Sequence, residues 1–229
     1  MNQAKALAQW FSEKGLKFDI IFSSTLQRAD ATAQAIYDQQ ADPKPPFLKN
    51  PTLREQNFGK GEGHPYTKSR GHADSMTIEE CYAQNIFPHP GNRTDRFPEG
   101  ESRNDLAKRA TQAIEDIILP LLPDAAEKDV HVALVSHGLF IREMVDAILK
   151  LDTTRHGIGS DYRGLRNTGW MRVTLKDAGL PTLSVSLTDI NRHDHLSSVA
   201  RQQGGIGSMA YDSKQKDIRS FFGGGKAQN

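Results

Sequence analysis

The sequence predicts an α/β fold, a single three-layer domain in which a mostly parallel sheet is flanked by helices. Three observations carry that prediction. Phe18-Asp19-Ile20-Ile21-Phe22 and Val130-His131-Val132-Ala133-Leu134-Val135-Ser136 read as strands buried on both faces, the second with five apolar residues in seven. Helical patterns precede or follow each of them, as in βα units. A stretch from 58 to 101, rich in Gly, Pro and His, breaks the alternation as insertions that frame a site do.

The elements follow in order. Ala4, Leu7, Ala8 and Phe11 form an amphipathic stripe that Gly15 stops. After the first strand, Ser24 or Thr25 is placed to cap a helix, with Arg28 in its first turn or just beyond. Pro43, Pro45, Pro46 and Pro51 predict a loop before Leu53, and a short helix is expected over Thr77–Gln84. Ser102, with Asp105 as capping-box partner, starts a strong helix whose stripe is Leu106, Ala110, Ala113, Ile114, Ile117, Ile118 and Leu121. Pro120 and Pro123 are expected to end it. Gly138 lets the chain turn sharply out of the Val130 strand, and Leu139, Ile141, Met144, Val145 and Ile148 predict a mostly buried helix. Trp170–Leu175 and Leu183–Leu187 alternate like strands. From 197 to 229 the composition predicts a disordered tail.

Composition bounds the setting. A net charge of +1 gives no pull toward nucleic acid or anionic membrane. Cys81, the one cysteine, excludes an internal disulfide and fits a reducing compartment. No secretory signal or membrane span is read, so the expected location is cytoplasmic, with the nucleus as alternative.

Three motifs point to chemistry. Ser136-His137-Gly138 places His137 at the carboxyl edge of a sheet, beside free helix N–H groups that favour an anion. Ser23-Ser24-Thr25-Leu26-Gln27-Arg28-Ala29-Asp30-Ala31-Thr32-Ala33 supplies a guanidinium able to fork onto phosphate oxygens. Leu53-Arg54-Glu55-Gln56-Asn57-Phe58-Gly59-Lys60-Gly61-Glu62-Gly63 is a glycine-punctuated loop that carries carboxylates. In this order, over residues 1–190, these motifs resemble the histidine phosphatase superfamily and its phosphoglycerate mutase-like branch. Pro98-Glu99-Gly100-Glu101-Ser102 and Asn167-Thr168-Gly169 match further pieces of that family.

The resemblance implies a phosphomonoesterase working through a phosphohistidine. It implies phosphate binding by Arg28, His137 and the Gly138 amide, and protonation of the leaving group by Glu62, whose pKa burial would have to raise. Glu55 is assigned a scaffold role, by hydrogen bonds or by pairing with Arg54. No metal or cofactor is implied. The family opens on a strand ending in Arg-His-Gly whose histidine is the nucleophile; Met1 here falls inside the following helix, so the domain 1–196 is expected to be N-terminally incomplete. Arg155-His156-Gly157 sits in a polar loop and is read as coincidence. A mutase and a non-catalytic phosphate- or protein-binding scaffold are the competing readings, and the expected partner is a phosphorylated small molecule.

The other polar residues are less specific. His193-Asp194-His195 lacks further ligands at metal spacing and is read as a solvated turn. His64, His72 and His89, with Lys60, Tyr66, Lys68 and Arg70, line the insertion as candidate substrate contacts. In the tail, Gln215, Ile218, Phe221 and Phe222 spell Q-x-x-I-x-x-F-F, which resembles the PIP box that docks on the replication sliding clamp.

Overall fold

A computed structural model describes residues 2–64, 76–88, 90–125, 128–152, 162–177, 183–197 and 199. All belong to the compact unit Met1–Val199; a second unit is Ala200–Asn229. The tail motif and its candidate contacts Gln215, Ile218, Phe221 and Phe222 lie outside the described residues, as do Tyr66, Lys68, Arg70, His72, His89 and Arg155-His156-Gly157.

Strand β1 (Ile20–Ser24) is the centre of a three-stranded parallel sheet, between β2 (Phe47–Asn50) and β3 (Val132–Val135). Ile21 lies opposite both Phe47 and Ala133. Successive strand side chains point to opposite faces, so the apolar runs build two cores rather than one. Ile21, Ala133, Phe47 and Val135 meet Leu7, Ala8 and Phe11 of α1 (Asn2–Glu13) and Ala33 and Ile36 of α2 (Gln27–Asp38). Ile20, Phe22, Val132 and Leu134 meet Leu106 and Ala110 of α4 (Arg103–Ala113) and Phe140, Met144 and Ile148 of α6 (Gly138–Leu149). The predicted three layers result. Ile21 is 0% exposed, and burial of such a side chain contributes roughly 1.5–3 kcal/mol.

Gly15 (φ +66) ends α1 with Leu16 N donating to Phe11 O across the turn, a C-cap that needs the left-handed region. Thr77 caps the short α3 (Ile78–Ala83), and Ser102 caps α4, both with reciprocal capping boxes. The helix beginning at Gly138 and the two later strands form where the periodicity places them. β4 (Trp170–Asp177) and β5 (Leu183–Arg192) pair antiparallel.

Four local features differ from the sequence reading. Phe47–Asn50 is a strand, not a loop: it is an edge strand between prolines, where a missing ladder N–H is tolerated and only four residues pair. Neither Ser24 nor Thr25 caps α2. Its N-cap is Leu26, whose own N–H is accepted by Ser24 Oγ at 3.2 Å. Pro120 and Pro123 do not end the helical path after α4. It widens into a π turn (Ile114–Ile118), tightens into a 3₁₀ turn (Leu119–Leu121) and resumes as α5 (Leu122–Ala125), each proline sitting in a first turn where its missing N–H costs little. His195 belongs to a 3₁₀ turn (Asp194–Leu196) but is 5% exposed, so that turn is not solvated throughout.

Candidate active site

The carboxyl ends of β1 and β3 lie side by side, with Ser23 opposite Val135. The next residues along each strand, Ser24 and then Ser136-His137, therefore meet at one edge of the sheet. Ser136 Oγ donates to Leu53 O at 2.7 Å, tying this edge to the loop that carries Arg54 and Glu55. His137 stands before α6 in extended backbone, 5% exposed, with Nε2 2.9 Å from Ser24 Oγ. Arg28, in the first turn of α2, is exposed, and Arg54, just after the turn Pro51–Leu53, is half-buried. Neither guanidinium has a hydrogen bond or ion pair among the described residues.

These groups set the charge state of His137. Burial first, and then the positive charges of Arg28, Arg109 and Arg54, lower its pKa from 6.5 to about 3. The imidazole is neutral in the empty site. Its contribution to stability is fully present above pH 6.5 and is lost as pH falls from there toward 3, because the unfolded chain then binds the extra proton. The ring signals of His137 are expected not to titrate between about pH 7 and 5. Saturating vanadate is expected to move the midpoint upward, since a bound anion favours imidazolium. An ordinary histidine titration without ligand counts against this environment.

One arginine holds the loop in place. Arg109 donates to the Glu101 carboxylate through Nε (2.9 Å) and Nη2 (2.7 Å), and to the carbonyls of Thr52 (2.8 Å), Arg54 (2.6 Å) and Glu55 (3.1 Å). The planar fork fits this array because all five donors lie in one plane. Gly59 completes the loop: at φ +53, an added Cβ would lie 2.1 Å from Pro98 O.

The two glutamates of the loop make different contacts. Glu55 reaches the start of α6, where Oε2 accepts from Leu139 N (3.2 Å) and Oε1 from Phe140 N (3.1 Å) and from Gln56 N (3.0 Å). A carboxylate of the chain thus already fills part of the helix N-terminus. The Gly138 amide has no partner among the described residues, and nothing lies within 4 Å of a Cβ built on Gly138. Gly138 has no left-handed φ, so the open space is what a glycine offers here, not a special turn. Glu62 is exposed, and its Oε1 accepts from Phe58 N (3.0 Å) within its own loop. No hydrogen bond joins it to Arg28, Arg54 or His137.

The positive charge of Arg28 is felt at His137, Gly138 follows His137 in the chain, and Glu62 is hydrogen-bonded within its own loop. Arg54 was legible only as a member of the loop motif, and Arg109 not at all: it sits on the polar flank of an amphipathic helix and finds its partners through sequence separations of 54–57 residues. His64 packs against Phe87 with ring centroids 4.6 Å apart and planes tilted by 36°, and Lys60 pairs with Glu99 at 3.2 Å. No helix among the described residues is long and apolar enough to cross a membrane.

The edge of this α/β domain's sheet carries two guanidiniums without partners among the described residues and a buried imidazole, groups of the kind that hold an oxyanion. Residues 1–186 match the model of the histidine phosphatase superfamily (branch 1), and the chain belongs to that family. It is 43% identical over 152 residues to a 2,3-bisphosphoglycerate-dependent phosphoglycerate mutase of Bartonella henselae, covering 66% of this chain and 68% of that one. It is 27% identical over 224 residues to the fructose-2,6-bisphosphatase TIGAR B of Danio rerio, covering 86% and 84%. Against the corresponding mutase of Methylorubrum extorquens, at 25% identity, the chain spans 63% of the relative's length. A mycobacterial glucosyl-3-phosphoglycerate phosphatase in complex with inorganic phosphate shares the fold, with a TM-score of 0.58 at 24% identity over 85% of this chain and 86% of that one.

Proposed function

We propose that this protein hydrolyses a phosphomonoester by passing the phosphoryl group to a histidine and then to water. The observation that carries the proposal is the convergence of Arg28 and Arg54, both without partners among the described residues, on the neutral His137. Phosphoryl transfer is mainly positioning and charge stabilisation, and this pocket supplies both. His137 and the Gly138 amide bind the phosphate oxygens, and Arg28 forks onto them. The nucleophilic histidine of the family's Arg-His-Gly strand is not among the described residues.

Two carboxylates compete to protonate the leaving group. The motif singles out Glu62; Glu55 competes through its position beside His137, on the amides of Leu139 and Phe140, although these donors favour its ionised form and it must take up a proton when the anion binds. In a form that turns over, Glu55→Gln is expected to lower kcat by about 10²–10⁴-fold and Glu62→Gln by far less. The reverse order restores Glu62 to the role. A mutase is the second reading, favoured by the mutase relatives. It must shield a phosphohistidine from water, whereas Arg28 here is exposed.

Binding is tested apart from turnover. Vanadate at about 100 times its Kd is expected to stabilise the fold by about 2.7 kcal/mol, and Arg28→Ala to remove most of that gain. Equal stabilisation of both proteins counts against the site.

The proposal that the tail docks on a sliding clamp rests on its sequence alone. A peptide spanning residues 213–226 is expected to bind with micromolar or weaker affinity, about −8 kcal/mol at 1 μM. Replacing Phe221 and Phe222 by Ala is expected to abolish binding, because buried aromatics are the anchors. No heat of binding at high peptide concentration removes the clamp as a partner.

A further inference from the structure

Ser24 stands where two junctions of the site meet. It ends β1, is 0% exposed, and lies opposite Asn50 of β2. Its hydroxyl makes two contacts. Oγ accepts from the N–H of Leu26, the N-cap of α2, at 3.2 Å, and lies 2.9 Å from His137 Nε2 at the entry to α6. One oxygen thus ties the helix whose first turn carries Arg28 to the ring of His137, 113 positions away from Ser24 in the chain. Ser23 is just as buried, but its hydroxyl donates to Ser24 O at 3.0 Å and makes no hydrogen bond to His137.

The two ring nitrogens of His137 are therefore unequal. Nε2 is occupied, whichever of the pair holds the proton. A hydroxyl has one proton and two lone pairs, and Leu26 N–H takes one of the pairs. What remains can donate to a bare Nε2 or accept from Nε2–H, so the contact survives in both charge states of the imidazole. Nδ1 has no hydrogen-bond partner among the described residues. Nor is it one of the polar atoms sealed without a partner, which are Asp30 Oδ1, Arg142 Nε, Trp170 Nε1 and His195 Nδ1; it reaches solvent. Half a turn about Cβ–Cγ would put carbon where each nitrogen now stands, and the broad preferences of that torsion alone do not prevent it. The bond to Ser24, at the distance of a good hydrogen bond, does.

We propose that Ser24 is a positioning residue for the anion site: by holding Nε2 it reserves Nδ1 of His137 for the oxyanion, and by binding Leu26 N–H it fixes that nitrogen relative to Arg28. The inference rests on the oxyanion reading of His137 and adds to it which nitrogen acts and what aims it. The full chain and its Ser24→Ala, Ser24→Thr and Ser23→Ala variants are titrated with vanadate by calorimetry and melted with and without it. Ser24→Ala is expected to weaken vanadate at least about 10-fold, and Ser24→Thr, which keeps the hydroxyl, to restore binding to within about 3-fold. Ser23→Ala is expected to bind vanadate like the parent whatever it loses in Tm, a split that a merely structural serine would not show. Since the added methyl of Ser24→Thr enters a closed site and can fail to fold, the comparison of Ser24→Ala with Ser23→Ala decides on its own. The imidazole resonances give a second readout: the ring proton that becomes protected from water on adding vanadate is expected on Nδ1. Protection on Nε2 alone means that Ser24 yields its place to the anion. That result, parent-like binding by Ser24→Ala, or equal weakening in Ser23→Ala and Ser24→Ala overturns the inference while the anion site stands. A parent that does not bind vanadate overturns both.

Discussion

The 229-residue chain, assayed as such on an aryl phosphate, is expected to turn over negligibly. Extension by an upstream strand ending in Arg-His-Gly is expected to raise the rate by about 10⁴–10⁶-fold, the range over which loss of a covalent nucleophile acts. The described histidines explain why. His137 is engaged with Ser24 and is proposed above as an anion ligand. His131 precedes β3, at the opposite end of the strand from His137. His64 packs against Phe87, and His193 and His195 belong to the turn after β5. The same extension has a second readout. β3 pairs only with β1 and β4 only with β5, so among the described residues each has an edge of unpaired N–H and C=O groups. Val132 and Leu134 of β3 and Val173 and Leu175 of β4 pack on one shared core. A strand added there pairs backbone and covers apolar surface, so the extended protein is expected to melt higher and aggregate less. Near-normal hydrolysis by the unextended chain, abolished by His137→Ala, would require another nucleophile. A monodisperse unextended chain with a high Tm would show that the sheet closes unaided.

What the sequence disclosed divides along physical lines. Apolar runs such as Ile20–Phe22 and Val132–Val135 announce strands because burial on both faces leaves no polar positions. The capping box Ser102–Asp105 is legible because its two bonds span three residues. β2 escaped because Phe47-Leu48-Lys49-Asn50 neither alternates nor runs apolar, and its prolines argued for a loop. Arg28, His137 and Gly138 are singled out as candidates by local motifs next to recognisable strands. Glu62 is preferred to Glu55 as the acid because it matches the loop glutamate of the resembling family. The contact that sets Glu55 against α6 joins positions 84 and 85 residues apart, which no local pattern encodes. Arg109 and Glu143 were missed for the same reason: each looks like a solvated residue of a helix until the fold supplies distant partners.

Glu143→Ala is expected to cost about 3–5 kcal/mol, the largest stability loss of any single charge removal in the described residues. Glu143 lies on α6 with its side chain 2% exposed, and both oxygens are taken by guanidiniums: Arg103 at 2.6 Å, Arg93 at 2.5 and 3.2 Å. Removing the carboxylate leaves Arg103, whose side chain is 16% exposed, without its counter-charge in an apolar setting. Arg93, 48% exposed, recovers water easily, so Arg93→Ala should cost about 1 kcal/mol or less. For a chain of this size the Glu143 loss corresponds to a Tm lower by roughly 6–20 °C. The effect should reach the anion site as well. α6 begins at Gly138, and Arg103 opens α4, which carries Arg109 and through it the loop of Arg54 and Glu55. Once Glu143 no longer ties α6 to α4, His137 and Arg54 lose their fixed separation, and vanadate stabilisation should fall with Tm. Replacing Glu143 and Arg103 together by Leu should recover much of the stability, because no buried charge is then left unpaired, but not the coupling to Arg93. Thermal melts of the four proteins with and without vanadate decide it. A Glu143→Ala protein within about 1 kcal/mol of the parent would mean that water reaches this cluster and that its burial has been overstated.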